Sequence, residues 1–154
     1  MYKHVLVPID GSETARLGLN EAIELARHLK AQIRLIYVIN KLPWVSPAEI
    51  PPEAVQTFID QLRGSGESVV HEAITAVRDA GVAVDSRLIE ALGSEAGECI
   101  VEEAVSWPAD LIVCGTHGRR GVRRILMGSD AEYILRRSPV PVLMIRKTTT
   151  PESQ

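Results

Sequence analysis

The sequence predicts a single α/β domain built on a mostly parallel β-sheet with helices on both faces. Short apolar runs alternate with longer stretches of helical periodicity, in the order βαβ, α, β, α, β, α, β. Parallel neighbouring strands need crossover connections, and this alternation supplies a helix for each of them. The 154 residues, 45% of them hydrophobic, suffice for one domain with a full core.

The amino-terminal third predicts a strand, a helix and a second strand. His4 to Ile9 is a short apolar run that ends in the turn sequence Asp10-Gly11-Ser12. A helical pattern follows from Glu13 to Lys30, and Ile33 to Ile39 is the second strand. Four prolines between residues 43 and 52 then exclude regular structure and predict a loop.

The rest of the domain continues the alternation. A long helix is predicted from Pro52 to Ala80, with a kink or break at Gly64-Ser65-Gly66. Val82 to Ile89 alternates apolar and polar residues, which is typical of a strand at the rim of a sheet. The last four elements are a helix capped by Ser94 and running to Val105, a strand from Ala109 to Cys114, a helix from Ser129 to Arg137, and a strand from Val140 to Ile145.

Composition excludes several classes of partner. The net charge of −3 and the pI near 5.8 give no basic footprint for nucleic acid. We expect no membrane association and a cytoplasmic protein, because the sequence has no cleavable apolar segment at its start and no run of 18 apolar residues.

Cys99 and Cys114 are predicted to be buried thiols. Residues 1–147 form the predicted domain, and the tail 148–154 is predicted to be disordered.

The stretch from Gly115 to Ser129 has the spacing Gly-x2-Gly-x9-Gly-Ser and follows an apolar strand, as a phosphate-binding loop would. Glycine amides can approach an anion closely, and the amino end of the next helix favours a phosphate. This position, after a strand and before a helix, is where open α/β sheets bind ligands. The nine-residue gap also holds arginines and no acidic residue, namely Arg119, Arg120, Arg123 and Arg124. The alternative interpretation is a glycine-rich turn that leads into a serine-capped helix.

Several segments that span almost the whole chain carry a family resemblance. They are Val5-Leu6-Val7-Pro8-Ile9-Asp10-Gly11-Ser12-Glu13, Leu35-Ile36-Tyr37-Val38, Ala109-Asp110-Leu111-Ile112-Val113-Cys114-Gly115-Thr116-His117-Gly118, Gly128-Ser129 and Ser138-Pro139-Val140-Pro141-Val142-Leu143. With these segments in this order, the chain resembles a universal stress protein of the single-domain kind, in the ATP-binding branch of the family. The resemblance implies a Rossmann-like open sheet of five parallel strands in the order 3-2-1-4-5.

The resemblance further implies a site for ATP, with or without Mg²⁺. Because the sequence has no Ser/His/Asp nucleophile set and no His/Cys metal cluster, we expect no catalytic or metal-ligating residue. The resemblance implies adenine contacts by Pro8, Ile9 and the Val38 backbone, ribose contacts by Asp10, a place beside the nucleotide for Cys114, and phosphate or ribose contacts by Gly115, Gly118, Gly128, Ser129 and the amide of Asp130. The arginine-rich gap adds Arg119 as a phosphate contact. The alternative for Asp10 is a turn residue that initiates the first helix.

Asp130 departs from the family pattern, which usually has a small or apolar residue there. Its carboxylate would repel the γ phosphate, or act as a favourable first-turn acid turned away from the ligand, or help to hold a divalent cation. His117 lies between the loop glycines. With no identified carboxylate partner, it indicates a contact rather than a general base.

Two functions follow from these observations. The first is an ATP-binding regulatory module of a stress response, with at most slow ATP hydrolysis. The alternative is a dimeric stress or adaptor protein that acts through protein contacts and barely binds nucleotide. An ATP-dependent α-hydrolase or ligase ranks last, because no Ser-Gly-Gly loop follows the first strand. A homodimer is expected through the last strand, Val140 to Ile145, since a bare apolar edge strand invites aggregation, and the resemblance implies the same contact.

Overall fold

A computed structural model describes residues 1–40, 51–91, 94–117 and 127–147. The strands are β1 (His4–Pro8), β2 (Gln32–Asn40), β3 (Val84–Ala91), β4 (Leu111–Gly115) and β5 (Val142–Ile145). The helices are α1 (Glu13–Leu29), α2 (Pro52–Asp79), α3 (Ala96–Ser106) and α4 (Ser129–Arg137). All strand pairs are parallel and the order is β3-β2-β1-β4-β5, which confirms the predicted fold. Most of the predicted proline-rich loop, Gly118, Arg119 and the predicted tail lie outside the described residues.

Two apolar layers hold the helices against the sheet. Side chains alternate along each strand, so Val5 and Val7 of β1 join the core under α1 and α2, while Leu6 joins the core under α3 and α4. Strand β4 is buried on both faces, as expected of a strand in the middle of a parallel sheet. Because β1 and β4 pair directly and in parallel, their carboxyl ends lie side by side between the two cores. None of the helices within the described ranges has the length and apolar character needed to cross a membrane.

The break predicted at Gly64-Ser65-Gly66 is wrong, because α2 runs without interruption from Pro52 to Asp79, and the alternative of a kink stays a prediction. Gly64 faces open space, and a Cβ there would meet nothing within 4 Å. Gly66 instead packs against β2, where a Cβ would lie 2.8 Å from Cε1 of Tyr37. The second glycine thus permits a close approach of the helix to the strand.

The predicted cap of α3 by Ser94 is also wrong. The N-cap residue is Glu95, and its side chain makes no capping hydrogen bond. The cap comes from another helix, since Oδ1 of Asp130 accepts a hydrogen bond of 2.9 Å from the Gly97 amide. A Cβ on Gly97 would lie 3.0 Å from the Asp130 carbonyl oxygen, so glycine lets the amino ends of α3 and α4 meet.

The last strand is shorter than predicted. Val140 lies in a turn, where the Ser138 hydroxyl donates to the Val140 carbonyl at 2.6 Å and accepts from its amide at 3.2 Å. The strand consequently begins at Val142. A side-chain turn of this kind competes with the sheet ladder for the same backbone groups.

Candidate functional site

The carboxyl ends of β1 and β4 form the topological switch point of the sheet. These two strands are neighbours, and the connections that leave them run in opposite directions, through α1 to β2 and through α4 to β5. Open α/β sheets bind ligands in the crevice at such a point. The structure thus brings together the turn after β1 and the described part of the Gly115–Ser129 stretch, both of which the sequence singled out.

Asp10 builds the turn after β1. Its Oδ1 accepts a hydrogen bond of 2.8 Å from the Ser12 amide, and the Ser12 hydroxyl in turn accepts from the Ala15 amide at 3.2 Å to cap α1. Gly11 between them has a φ of +80°, which suits glycine. The turn interpretation of Asp10 is confirmed, and its contact with a ribose stays a prediction. Asp10 itself is half-buried at the carboxyl end of β1.

The main chain of Val38 faces the space beyond the end of β1. The Ile36 carbonyl points towards β1, because it accepts a hydrogen bond of 2.9 Å from the Ile9 amide. Backbone groups change sides at every residue of a strand, so those of Val38 point the same way two residues later. The last β1–β2 pair is Pro8 with Ile36. Val38 therefore presents an N–H and a C=O at the crevice, as the predicted adenine contact requires.

The segment after β4 is tied to three elements. The Thr116 amide donates to the Ile145 carbonyl at 2.8 Å, and the Thr116 carbonyl accepts from the Gly128 amide at 3.0 Å. The Thr14 hydroxyl on α1 donates to the His117 carbonyl. Residues 116 and 117 are thereby fixed between α1, β5 and the start of α4. The amide of Gly128 already donates a hydrogen bond within the protein. This glycine can therefore favour anion binding only by having no side chain that would obstruct the anion.

The first turn of α4 presents unpaired amides. Gly128 is the N-cap residue, and the first helical hydrogen bond runs from the Glu132 amide to the Gly128 carbonyl at 2.9 Å. Helix geometry leaves the amides of Ser129, Asp130 and Ala131 without an acceptor inside the helix. Together with the positive end of the helix dipole, they form a site suited to a phosphate. Ser129 is exposed at this point.

The carboxylate of Asp130 is held on α3. Its hydrogen bond with the Gly97 amide matches the interpretation of a first-turn acid, because both helices direct their positive ends at the same carboxylate. The main-chain amide of Asp130 is the group left for a phosphate. Within the described ranges, no group of three histidine, cysteine or acidic residues is arranged to hold a metal ion.

Gly115 and Cys114 occupy the end of β4. A Cβ on Gly115 would lie 2.8 Å from the Thr14 carbonyl carbon, so this glycine is needed for the close approach of α1. Cys114 is buried, with its Sγ 3.1 Å from Sδ of Met144, and burial raises the pKa of its thiol to about 12. Burial also raises the pKa of the Cys99 thiol. Both cysteines are buried and free, as predicted. The proximity of Cys114 to a nucleotide stays a prediction.

A charged cluster at the opposite end of the sheet was missed by the sequence reasoning. Glu103, only 2% exposed, pairs with Arg34 at 2.9 Å and with Arg87 at 2.6 Å. Arg34 also forms two hydrogen bonds with Asp85, which raise its guanidinium pKa, and lies 4.7 Å from the ring centroid of Trp107. The available signal was a single arginine inside an otherwise apolar strand. These residues lie near the amino ends of β2 and β3, away from the switch point.

The sequence and the fold match one family throughout the domain. A sequence profile described as the Universal stress protein family matches residues 1–146, and the chain belongs to that family. A universal stress protein of Methanocaldococcus jannaschii is 34% identical over 148 residues, covering 96% of this chain and 84% of the relative. A solved structure from the same family, from Burkholderia pseudomallei, is 33% identical with a TM-score of 0.75, covering 94% of this chain and 96% of that one.

Two more distant structures of the same fold carry nucleotides. The universal stress protein from Archaeoglobus fulgidus was solved in complex with dAMP, with 23% identity, a TM-score of 0.64, and coverage of 94% of this chain and 98% of that one. A family protein from Arabidopsis thaliana was solved with AMP bound, with 15% identity, a TM-score of 0.66, and coverage of 99% and 97%.

Proposed function

We propose that this chain is an ATP-binding regulatory module of a stress response. The observation that carries the proposal is the group of three unpaired amides on the first turn of α4, placed at the switch point of the sheet. The AMP and dAMP bound by the two structural relatives agree with an adenine nucleotide as the ligand.

The proposed pose runs from β2 to α4. Adenine lies beside Pro8 and Ile9, where the Val38 main chain offers one donor and one acceptor to its edge. The ribose hydroxyls donate to the carboxylate of Asp10. The phosphates lie against the first-turn amides of α4 and the Ser129 hydroxyl, and any Mg²⁺ is held by the phosphates. Gly118 and Arg119 lie outside the described residues; Gly118 is assigned to the phosphates by the family resemblance, and Arg119 by the arginine-rich gap of the loop.

This arrangement supports regulation better than catalysis. Among the described residues, no carboxylate is recorded against a ring nitrogen of His117, which would orient it as a base for hydrolysis. Bound ATP would instead tie the turn after β1 to the start of α4. Such a bridge changes the stability of both segments and the surface that they present.

A homodimer through β5 completes the proposal. The sheet has two edge strands, and β3 carries charged residues at Asp85, Arg87 and Glu90, which oppose edge-to-edge pairing. Strand β5 reads Val-Leu-Met-Ile and is half-buried throughout. Carbonyl groups of residues 141 and 145 face β4, so alternation directs the backbone groups of Val142 and Met144 outwards. A second copy of β5 would satisfy them.

Thermal unfolding with and without ATP and magnesium tests the nucleotide proposal. At about 100 times the dissociation constant, ATP should add about 2.7 kcal/mol to the free energy of unfolding and raise Tm by about 5 to 10 °C. Gly128→Val should abolish the rise, because its φ of −64° accepts valine while the side chain covers the first-turn amides. Gly64→Val, at an open position of α2, is the matched control and should keep the full rise.

An unchanged Tm for the wild-type protein would contradict the nucleotide proposal. The adaptor function, in which the dimer acts through protein contacts alone, would then be the better account. A rise that persists in Gly128→Val would place the nucleotide away from α4.

A further inference from the structure

His117 carries a buried nitrogen without a partner. Its Nδ1 lies 2.9 Å from the Thr116 hydroxyl, and its carbonyl accepts from the hydroxyl of Thr14. Its Nε2 is shielded from solvent and has no hydrogen-bond partner among the described residues. Two threonines thus fix the residue and engage one ring nitrogen, while the other ring nitrogen is left unsatisfied.

A buried polar atom in this state calls for an explanation. Leaving a donor or acceptor unpaired costs about 1 to 3 kcal/mol, so native proteins rarely keep one unless a ligand, ion or water satisfies it. When the Thr116 hydroxyl donates to Nδ1, the neutral ring carries its proton on Nε2 and requires an acceptor. A phosphate oxygen is a strong acceptor for such an N–H group.

The place of His117 in the backbone indicates which part of the ligand its ring would meet. The Thr116 carbonyl accepts the hydrogen bond of the Gly128 amide, so His117 is one residue from a direct link to the N-cap of α4. The unpaired amides of Ser129 and Asp130 follow immediately. Among the groups of an adenine nucleotide, the phosphates are proposed to lie at this helix end.

We propose that Nε2 of His117 donates a hydrogen bond to a phosphate oxygen of the bound nucleotide, and that Thr14 and Thr116 are the positioning residues that aim it. This inference rests on the proposed function and adds an imidazole donor to a phosphate site that the first-turn amides of α4 and the Ser129 hydroxyl would otherwise form. It makes His117 a residue that distinguishes nucleotides from nucleosides.

Calorimetric titration of the full chain with adenosine, AMP and magnesium ATP tests the inference. His117→Asn keeps an amide near the Nδ1 position and removes the Nε2 donor, so affinity for AMP and ATP should fall about tenfold while that for adenosine is unchanged. His117→Gln places an amide near the Nε2 position and should recover part of the loss. The matched control is His28→Asn, at an exposed histidine whose ring bonds the Glu24 carbonyl, and it should behave as wild type.

Nitrogen NMR of histidine-labelled protein supplies a second measurement. The Nε2 resonance of His117 should move on addition of AMP and stay in place with adenosine. Equal losses of affinity for adenosine and AMP in His117→Asn would overturn the inference and leave the proposed function intact. An Nε2 resonance that does not shift on addition of AMP would do the same. If the wild-type protein binds none of the three compounds, the proposed function fails and this inference fails with it.

Discussion

Replacing Glu103 by glutamine should lower the free energy of unfolding by about 3 kcal/mol, because the substitution leaves two arginines facing a neutral amide in a buried position. The carboxylate is 2% exposed and accepts from both Arg34 and Arg87. A glutamine has one oxygen and one amino group there, so a donor would face a donor. This loss of stability lies at the lower end of the range for broken buried ion pairs, because Arg34 keeps its pair with Asp85 and Arg87 is 55% exposed.

Urea denaturation measures the effect, and an exposed ion pair supplies the control. Glu24 pairs with Arg27 at 3.0 Å on the surface of α1, and both side chains are more than half exposed. Glu24→Gln should therefore change the free energy of unfolding by less than about 0.5 kcal/mol. Equal losses for the two variants would show that the Glu103 cluster contributes no more than a surface pair.

Val142→Lys should convert the proposed dimer into a monomer. The substitution puts an ammonium group into each copy of β5, where two-fold symmetry brings like charges together in a desolvated strip. The aliphatic part of lysine can still cover the sheet while its charge reaches water in the monomer, so the domain should stay folded. Sedimentation should give about twice the 16.9 kDa chain mass for wild type and a single chain mass for the variant.

The same change on α3 separates an interface effect from a general effect of charge. Val105 is 65% exposed and lies outside β5, so Val105→Lys should leave the dimer intact. If Val142→Lys still sediments as a dimer, another surface joins the two copies. If wild type is monomeric at every concentration, the dimer proposal is wrong.

The sequence was sufficient for the fold because each element has its own local signal. The helix from Ser129 to Arg137 begins and ends where predicted, and the other elements agree to within two residues at each end. The errors have long-range causes. Ser94 looked like a cap, but the cap of α3 is Asp130, 33 positions from Gly97 in the chain. Gly66 looked like a break because its partner Tyr37 lies on a different element.

The candidate site was predictable in outline and less so in its chemistry. Spacing alone placed Gly115 at the end of β4, and Gly128 and Ser129 at the start of α4, as the structure has them. It did not show that Gly115 is needed for packing against Thr14, or that the Gly128 amide is already bonded to Thr116. Nor did it reveal the unsatisfied nitrogen of His117, because burial depends on contacts between segments far apart in sequence.

Proton–nitrogen correlation spectra of the full chain, recorded during a titration with ATP, test the central claim most directly. The account predicts that the main-chain amides of Ser129, Asp130 and Ala131 show the largest shifts and saturate together. Saturable binding that leaves these three amides unmoved would contradict it, as would spectra that stay unchanged at millimolar ATP.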